Sequence, residues 1–441
     1  MADRRCLEGM TQHTKVIVIG GGYSGTLAAN HLRMRGDVAI TLVNPRPKFV
    51  ERIRLHQLVA GTADATADYG SLLGEGIQLV VDTVTRIDTA TRKLQLASGR
   101  AMDYDYVIYA VGSTGAVPAS VPGAAEFAYP IAELEHAQRL HTAIDEAHPD
   151  APVTVVGAGL TGIETATELA EQGRKVMLVC GGQLGPSLSV PGRRSVAKVM
   201  AKLGVAVLHA DVVAEVRPDA VVFADGAVRP SAVTIWTAGF GVPDLASASG
   251  LRTDAMGRLL TDETLTSVDD PRIVAAGDCG APSGWPLRMS CQAAGPLGEQ
   301  AADTVLSRIA GTAPTVITPA FLGSCISLGR HAGTFQIARK DDTAVNFYIG
   351  GRIAAALKEA VCKGTLWGLR REARKPGSAF YFKGRERRVQ PVLAPQWSGK
   401  SDYRKPDRRV GQRRPGGAVH PSATAAVHDR LRNTGFGDRI R

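Results

Sequence analysis

Gly20, Gly22 and Gly25, in the run GGGYSG, and Gly157, Gly159 and Gly162, in the run GAGLTG, are the residues whose types and spacing most directly specify chemistry. Each set follows a β-branched stretch (residues 15–19 and 153–156) and opens an Ala-rich stretch that predicts a helix. In such a Gly-x-Gly-x-x-Gly turn the first glycine makes the tight bend and the second lets backbone approach a pyrophosphate. The third lets helix and strand close together, so phosphates meet the helix N-terminus. Two copies in one polypeptide predict two bound dinucleotides. A tightly held FAD and an exchanging nicotinamide dinucleotide explain the pair, because hydride passes readily between them.

Further candidates surround these loops. Tyr23 and Ser24 lie inside the first turn, and Leu160 inside the second. Asn44 and Gly181 stand where a dinucleotide fold usually places a carboxylate on the ribose hydroxyls. With no carboxylate at either place, NADPH is admitted beside NADH; Arg193 and Arg194, further on, are either cations for a 2′-phosphate or a solvated first turn of a helix. Gly112, in YDYVIYAVGS, and Gly239, in WTAGF, join the cofactor-binding set. So do Gly277 and Asp278, after the apolar run IVAAG, with Asp278 placed to accept hydrogen bonds from a ribityl chain. The six cysteines (Cys6, Cys180, Cys279, Cys291, Cys325 and Cys362) form no CxxC or CxxxxC pair, which argues against a structural zinc site and a vicinal redox disulfide.

The elements that must position these residues define an α/β fold. It has two Rossmann-like dinucleotide-binding domains, the second inserted in the first, and a smaller C-terminal α+β unit. The predicted boundaries are 14–118 with 250–311 for the FAD domain and 119–249 for the NAD(P)H domain. Residues 312–382 form an interface or membrane-docking unit. A helix is predicted from 296 to 309, starting at Pro296, and ERIRLHQLVAG reads as a linking segment. Residues 383–441 carry 15 Lys and Arg against 5 acids, the whole of the chain's net charge of +10, and their Pro, Gly and Arg content predicts a disordered basic tail. No apolar run is long enough to span a bilayer and residues 1–13 lack the apolar stretch of a signal peptide. A cytoplasmic location is therefore expected, free or peripheral on the inner face of the plasma membrane.

In order, GGGYSGTLAANHL, YDYVIYAVGS, VVGAGLTGIETATELAE, WTAGF and TDETLTSVDDPRIVAAGDCG resemble the two-dinucleotide-domain flavoprotein oxidoreductases, and most of all the type II NADH dehydrogenases. The resemblance spans roughly residues 14–375. It implies FAD on the first loop, NAD(P)H on the second, Glu164 near the nicotinamide and a quinone as electron acceptor. The family's AQxAxQxG signature appears here as CQAAGPLG, so Gln292 keeps the first glutamine and Pro296 replaces the second. Ile353, Leu357, Val361, Leu366, Trp367 and Leu369, with a basic end, predict a helix that rests on a membrane or packs on its own core or a second subunit. A homodimer is expected, and nucleic acid is not an expected partner. The alternatives are an NAD(P)H–flavin oxidoreductase with a soluble acceptor, a sulfide:quinone oxidoreductase, and a redox-sensing flavoprotein of the apoptosis-inducing-factor type.

Overall fold

The computed structural model describes residues 13–283, 287–318 and 320–384. The fold is α/β and is organised around two five-stranded parallel sheets. In the first, Thr14–Ile19 is central, flanked by Val38–Asn44 and then Ile77–Val81 on one side, and by Tyr106–Tyr109 and then Ile273–Ala275 on the other. In the second, Pro152–Val156 is central, with Lys175–Val179 and Ala206–Leu208 on one side and Val233–Trp236 and Ala128–Pro130 on the other. The chain therefore reverses its direction of travel across each sheet beside the central strand. That reversal opens a crevice at the strand's carboxyl end, where ligands of doubly wound sheets bind. Both crevices carry a glycine turn.

The central strands are continuous apolar runs because parallel strands are covered on both faces. Val16, Val18 and Ile108 pack with Leu27 and Leu32 of helix Tyr23–Leu32 and with Leu297 and Val305 of helix Cys291–Ile309. On the opposite face Ile17, Ile19 and Val107 meet Leu94, Leu259 and Ile273. In the second sheet Val153, Val155 and Leu178 pack with Ile163 and Leu169 of helix Leu160–Glu171. Each sheet is interrupted by a three-stranded antiparallel sheet, Val84–Asp103 in the first and Val213–Pro230 in the second. Ala206–Leu208 and Val213–Val216, close together in the chain, belong to different sheets.

A third sheet, Gly323–Ser327, Gly333–Ala338 and Ala344–Gly350, is antiparallel and leads into the 24-residue helix Gly351–Arg374. This helix lies on that sheet and reaches helix Tyr23–Leu32. Ala354, Lys358, Cys362, Leu369 and Glu372 form its buried side. Two sequence expectations need correction. The helix expected from 296 begins at Cys291, because Ser290 Oγ accepts from the Ala293 N–H at 3.3 Å and so caps an earlier start, leaving Pro296 inside. The linking segment is a short 3-10 turn, Arg52–Arg54, and a helix, Leu55–Val59. Residues 385–441, most of the expected basic tail, lie outside the described residues.

Candidate functional site

The two glycine turns are built alike, by different means. Gly20 has φ +102°, and a Cβ there would run into the Ala110 carbonyl; one on Gly25 would strike the carbonyl of Gly20. Gly157 has φ +108°, with Ala238 N 2.8 Å from the Cβ position, and a Cβ on Gly162 would meet the carbonyl of Gly157. At Gly22 and Gly159, by contrast, a Cβ meets no atom within 4 Å. Those two residues face open space. They are also the N-caps of helices Tyr23–Leu32 and Leu160–Glu171, and neither helix has a side-chain cap or an acid in its first turn. Each turn thus presents unmatched backbone N–H groups and the positive end of a helix to a cradle that a side chain would fill, which fits a pyrophosphate at both.

Asn44 shapes the first turn. Its Oδ1 accepts from the Gly21 N–H at 2.9 Å and its Nδ2 donates to the Arg46 carbonyl at 2.7 Å, while Tyr69 and Thr26 hydroxyls donate to the Gly21 carbonyl. The Ser24 hydroxyl donates to the Ala294 carbonyl at 2.8 Å, so it fastens helix Cys291–Ile309 to the turn. A Cβ on Gly298 would strike the Ser24 carbonyl, and this glycine is what lets the two helices close. Tyr23 is stacked edge-on against Phe49, and its buried hydroxyl finds no partner among the described residues. Leu160 sits, part-buried, at the start of the second helix. Gly181 follows the strand Lys175–Val179 with φ +63°, and Arg193 Nη1 is used by the Leu188 carbonyl at 2.8 Å.

At the first sheet's carboxyl edge, Asp278 Oδ2 accepts from Ser113 Oγ at 2.7 Å. Arg52 holds that serine from behind, donating to its carbonyl at 2.7 Å and to its Oγ at 3.1 Å. Burial pushes the Asp278 carboxyl above its usual value, opposed by Ser113 and Arg52. Of the left-handed glycines, Gly277 (φ +82°) immediately precedes Asp278 and Gly112 (φ +72°) immediately precedes its partner Ser113, while Gly239 (φ +88°) turns the chain near Ala116.

Glu164 lies just past the first turn of helix Leu160–Glu171 and is surrounded by polar partners. Lys358 Nζ is 2.9 Å from its Oε1, the Ser327 N–H donates to it at 3.0 Å, and His56 Nδ1 lies 4.0 Å from Oε2. Burial works to raise this carboxyl, yet the Lys358 charge and the Ser327 N–H hold it below the ordinary value. Burial pushes His56 down to about 4, so it is a neutral imidazole, and its Nε2 meets Ser327 Oγ at 3.2 Å. Lys358, His56 and Ser327 come from three segments, so no local spacing announces them. One signal was present: Lys358 lies four residues from both Ala354 and Cys362, a lone charge inside an apolar helical stripe.

Gln292 occupies the first turn of helix Cys291–Ile309, where its Oε1 accepts from Arg288 Nη2 at 3.2 Å. The outer side of helix Gly351–Arg374 exposes Ile353, Leu357, Val361 and Trp367, with Arg371 stacked 5.4 Å from the Trp367 ring, while Leu366 and Leu369 turn inward. Phe380 and Phe382 continue the exposed apolar surface. Among the described residues no helix is long and apolar enough to cross a membrane, and the five cysteines are free thiols.

Paired parallel sheets with matching glycine turns define a two-dinucleotide oxidoreductase. The chain belongs to the pyridine nucleotide-disulphide oxidoreductase family, whose pattern it matches over residues 14–297. It is 30% identical over 326 residues to an NADH dehydrogenase-like protein of Mycobacterium tuberculosis, covering 67% of this chain and 80% of that one. It is 27% identical to a type II NADH:quinone oxidoreductase of Staphylococcus haemolyticus, covering 79% and 94%. Among solved structures, a sulfide:quinone oxidoreductase of Aquifex aeolicus superposes with a TM-score of 0.69 at 21% identity, covering 82% and 93%. An NDH2 of Plasmodium falciparum in complex with NADH also gives 0.69, at 15% identity, covering 82% and 97%. At these identities the two structures speak for the fold alone.

Proposed function

We propose that the chain is an FAD-dependent NADH dehydrogenase that passes electrons to a quinone, in the balanced reaction NADH + H⁺ + quinone → NAD⁺ + quinol. The observation that carries this reading is the duplicated cradle: two sheets that share the order of four of their five strands, each with an uncapped helix N-terminus behind an open glycine. Residues 14–118 and 250–311 would hold FAD, with its pyrophosphate at Gly20, Gly22 and Gly25 and its ribityl chain on Asp278. Residues 119–249 would hold NADH at Gly157, Gly159 and Gly162. A bound flavin supplies two-electron chemistry, accepting hydride from a nicotinamide and releasing electrons to an acceptor.

The protein's own work is binding, orientation and the handling of charge. Glu164 is buried with Lys358, Ser327 and His56 on the helix that opens the second cradle. It is assigned here as the group that links this helix to the C-terminal unit and holds a fixed negative charge there. Gln292 is assigned to the acceptor, donating from its amide to a quinone carbonyl as charge develops on oxygen. The exposed stripe Ile353, Leu357, Val361 and Trp367, bordered by Arg370, Arg371 and Arg374, suits an anionic membrane surface where a quinone is reached. Burial raises the Cys291, Cys325 and Cys362 thiols, while Lys358 works to lower them.

The test is anaerobic. NADH should bleach the yellow protein, and a menaquinone analogue should restore the colour. Gln292→Ala should slow that return by roughly tenfold, the factor a hydrogen bond of about 1.5 kcal/mol represents, and leave bleaching unchanged. A parent protein that reduces ferricyanide but no quinone removes the quinone from this reading.

A further inference from the structure

Arg288 meets the acceptor-side glutamine from outside helix Cys291–Ile309. Its Nη2 donates to Gln292 Oε1 and to the Gly323 carbonyl, each at 3.2 Å, and its Nη1 donates to Ser324 Oγ. Its Nε faces Asp342 Oδ2 at 3.0 Å, and its central carbon lies 5.1 Å from the centre of the Phe321 ring. The third sheet therefore holds the guanidinium from several sides, and one corner is left for Gln292.

That corner settles a question of polarity. A primary amide has an acceptor end and a donor end of nearly equal size, and either can face a neighbour that both gives and takes hydrogen bonds. A guanidinium only gives. The Gln292 atom beside it must be the carbonyl oxygen, and the two amide N–H groups must point elsewhere. They meet no acceptor among the described residues. Pro296 sharpens the point, because it stands where the related signature has a second glutamine and offers no amide of its own.

We propose that Arg288 is a positioning residue for the electron acceptor. It fixes the Gln292 side chain as a donor, and by bonding the amide oxygen it polarises the N–H groups into stronger donors. The site it prepares takes a carbonyl oxygen that gains negative charge on reduction. Two electrons from the reduced flavin and two protons turn that carbonyl acceptor into its dihydroxy form. The inference rests on the assignment of Gln292 to the acceptor.

A double-mutant cycle tests it, using the full-length flavin-loaded protein with R288M, Q292A and R288M/Q292A. After reduction by NADH, reoxidation is followed with a water-soluble menaquinone analogue and, separately, with ferricyanide, which needs no hydrogen bond. R288M should slow quinone reoxidation by roughly five- to tenfold, with ferricyanide reoxidation and reduction by NADH unchanged. The loss should vanish in the Q292A background, and R288K should recover part of it. Equal slowing by R288M with and without Gln292 would show a structural role and overturn the proposal, as would parental quinone rates in R288M. If R288M loses its flavin, R288K, which keeps the charge but not the forked geometry, takes its place in the cycle. A parent that turns over ferricyanide but no quinone overturns the acceptor assignment instead.

Discussion

His31 Nδ1 stands 2.7 Å from Glu372 Oε1, joining two residues 341 positions apart in the chain. Glu372 is wholly buried and also accepts from the N–H groups of Gly377 and Ala379, both at 2.6 Å, while the other ring nitrogen of His31 lies 3.1 Å from Asp303 Oδ1. The helix that opens the first glycine turn is thus tied to the end of helix Gly351–Arg374.

This tie makes stability depend on pH. Burial disfavours the imidazolium, but the bonds to Asp303 and Glu372 outweigh it and lift His31 from 6.5 to about 9. The folded state holds the proton more tightly, so the stabilisation is complete below pH 6.5 and is lost as pH rises through 9. It amounts to about 3 kcal/mol. His31→Gln should lower the urea midpoint most at pH 6, with the gap to the parent closing by pH 10. A gap of constant size across that range would disprove the link.

Asp278→Ala should weaken FAD retention, because each charge-assisted bond to the carboxylate is worth about 1.5–3 kcal/mol. The flavin-to-protein absorbance ratio after gel filtration reads this directly, and full occupancy would refute the assignment.

Gly159→Val should give a yellow protein that NADH bleaches poorly. The backbone there, φ −69° and ψ −179°, is one any residue adopts, and the new side chain enters only the open cradle. Reduction at the parental rate by both NADH and NADPH would move the nicotinamide away from this turn.

Lys358→Met leaves the Glu164 carboxylate buried without its cation, a loss of about 3–5 kcal/mol. The double variant Lys358→Met/Glu164→Gln removes the stranded charge and should recover much of that loss. Chemical denaturation of the three proteins checks it; a double variant less stable than Lys358→Met would contradict a paired charge.

Much of this was readable before the structure, for a definite reason. Glycine turns, β-branched strands and the Gly277–Asp278 pair are local patterns set by backbone geometry, and Gly20, Gly22, Gly157 and Gly159 stand in the turns they specify. What could not be read depends on tertiary convergence. The side chains of Ser24 and Asn44 bond to Ala294, Gly21 and Arg46, contacts that no linear pattern shows. The start of helix Cys291–Ile309 was hidden because Pro296 looks like a first-turn residue, whereas the Ser290 cap decides the matter six residues earlier. Arg52, His56 and Lys358 acquire meaning only through partners far along the chain.

Lys358 and Glu372 lie 14 residues apart on one helix, nearly four full turns, so both point to the same side about 21 Å apart. One is bound to Glu164 beside the second glycine turn and the other to His31, in the last turn of the helix that follows the first. Helix Gly351–Arg374 therefore acts as a tie-rod pinned at two ends, and its length is as exact a specification as any side chain. Removing a single residue between the pins would rotate one against the other by about 100° and unseat at least one of them. Point changes along its outer side would leave both seated. Tolerance of substitution on that side, with intolerance of insertion or deletion, is the evolutionary signature this arrangement demands.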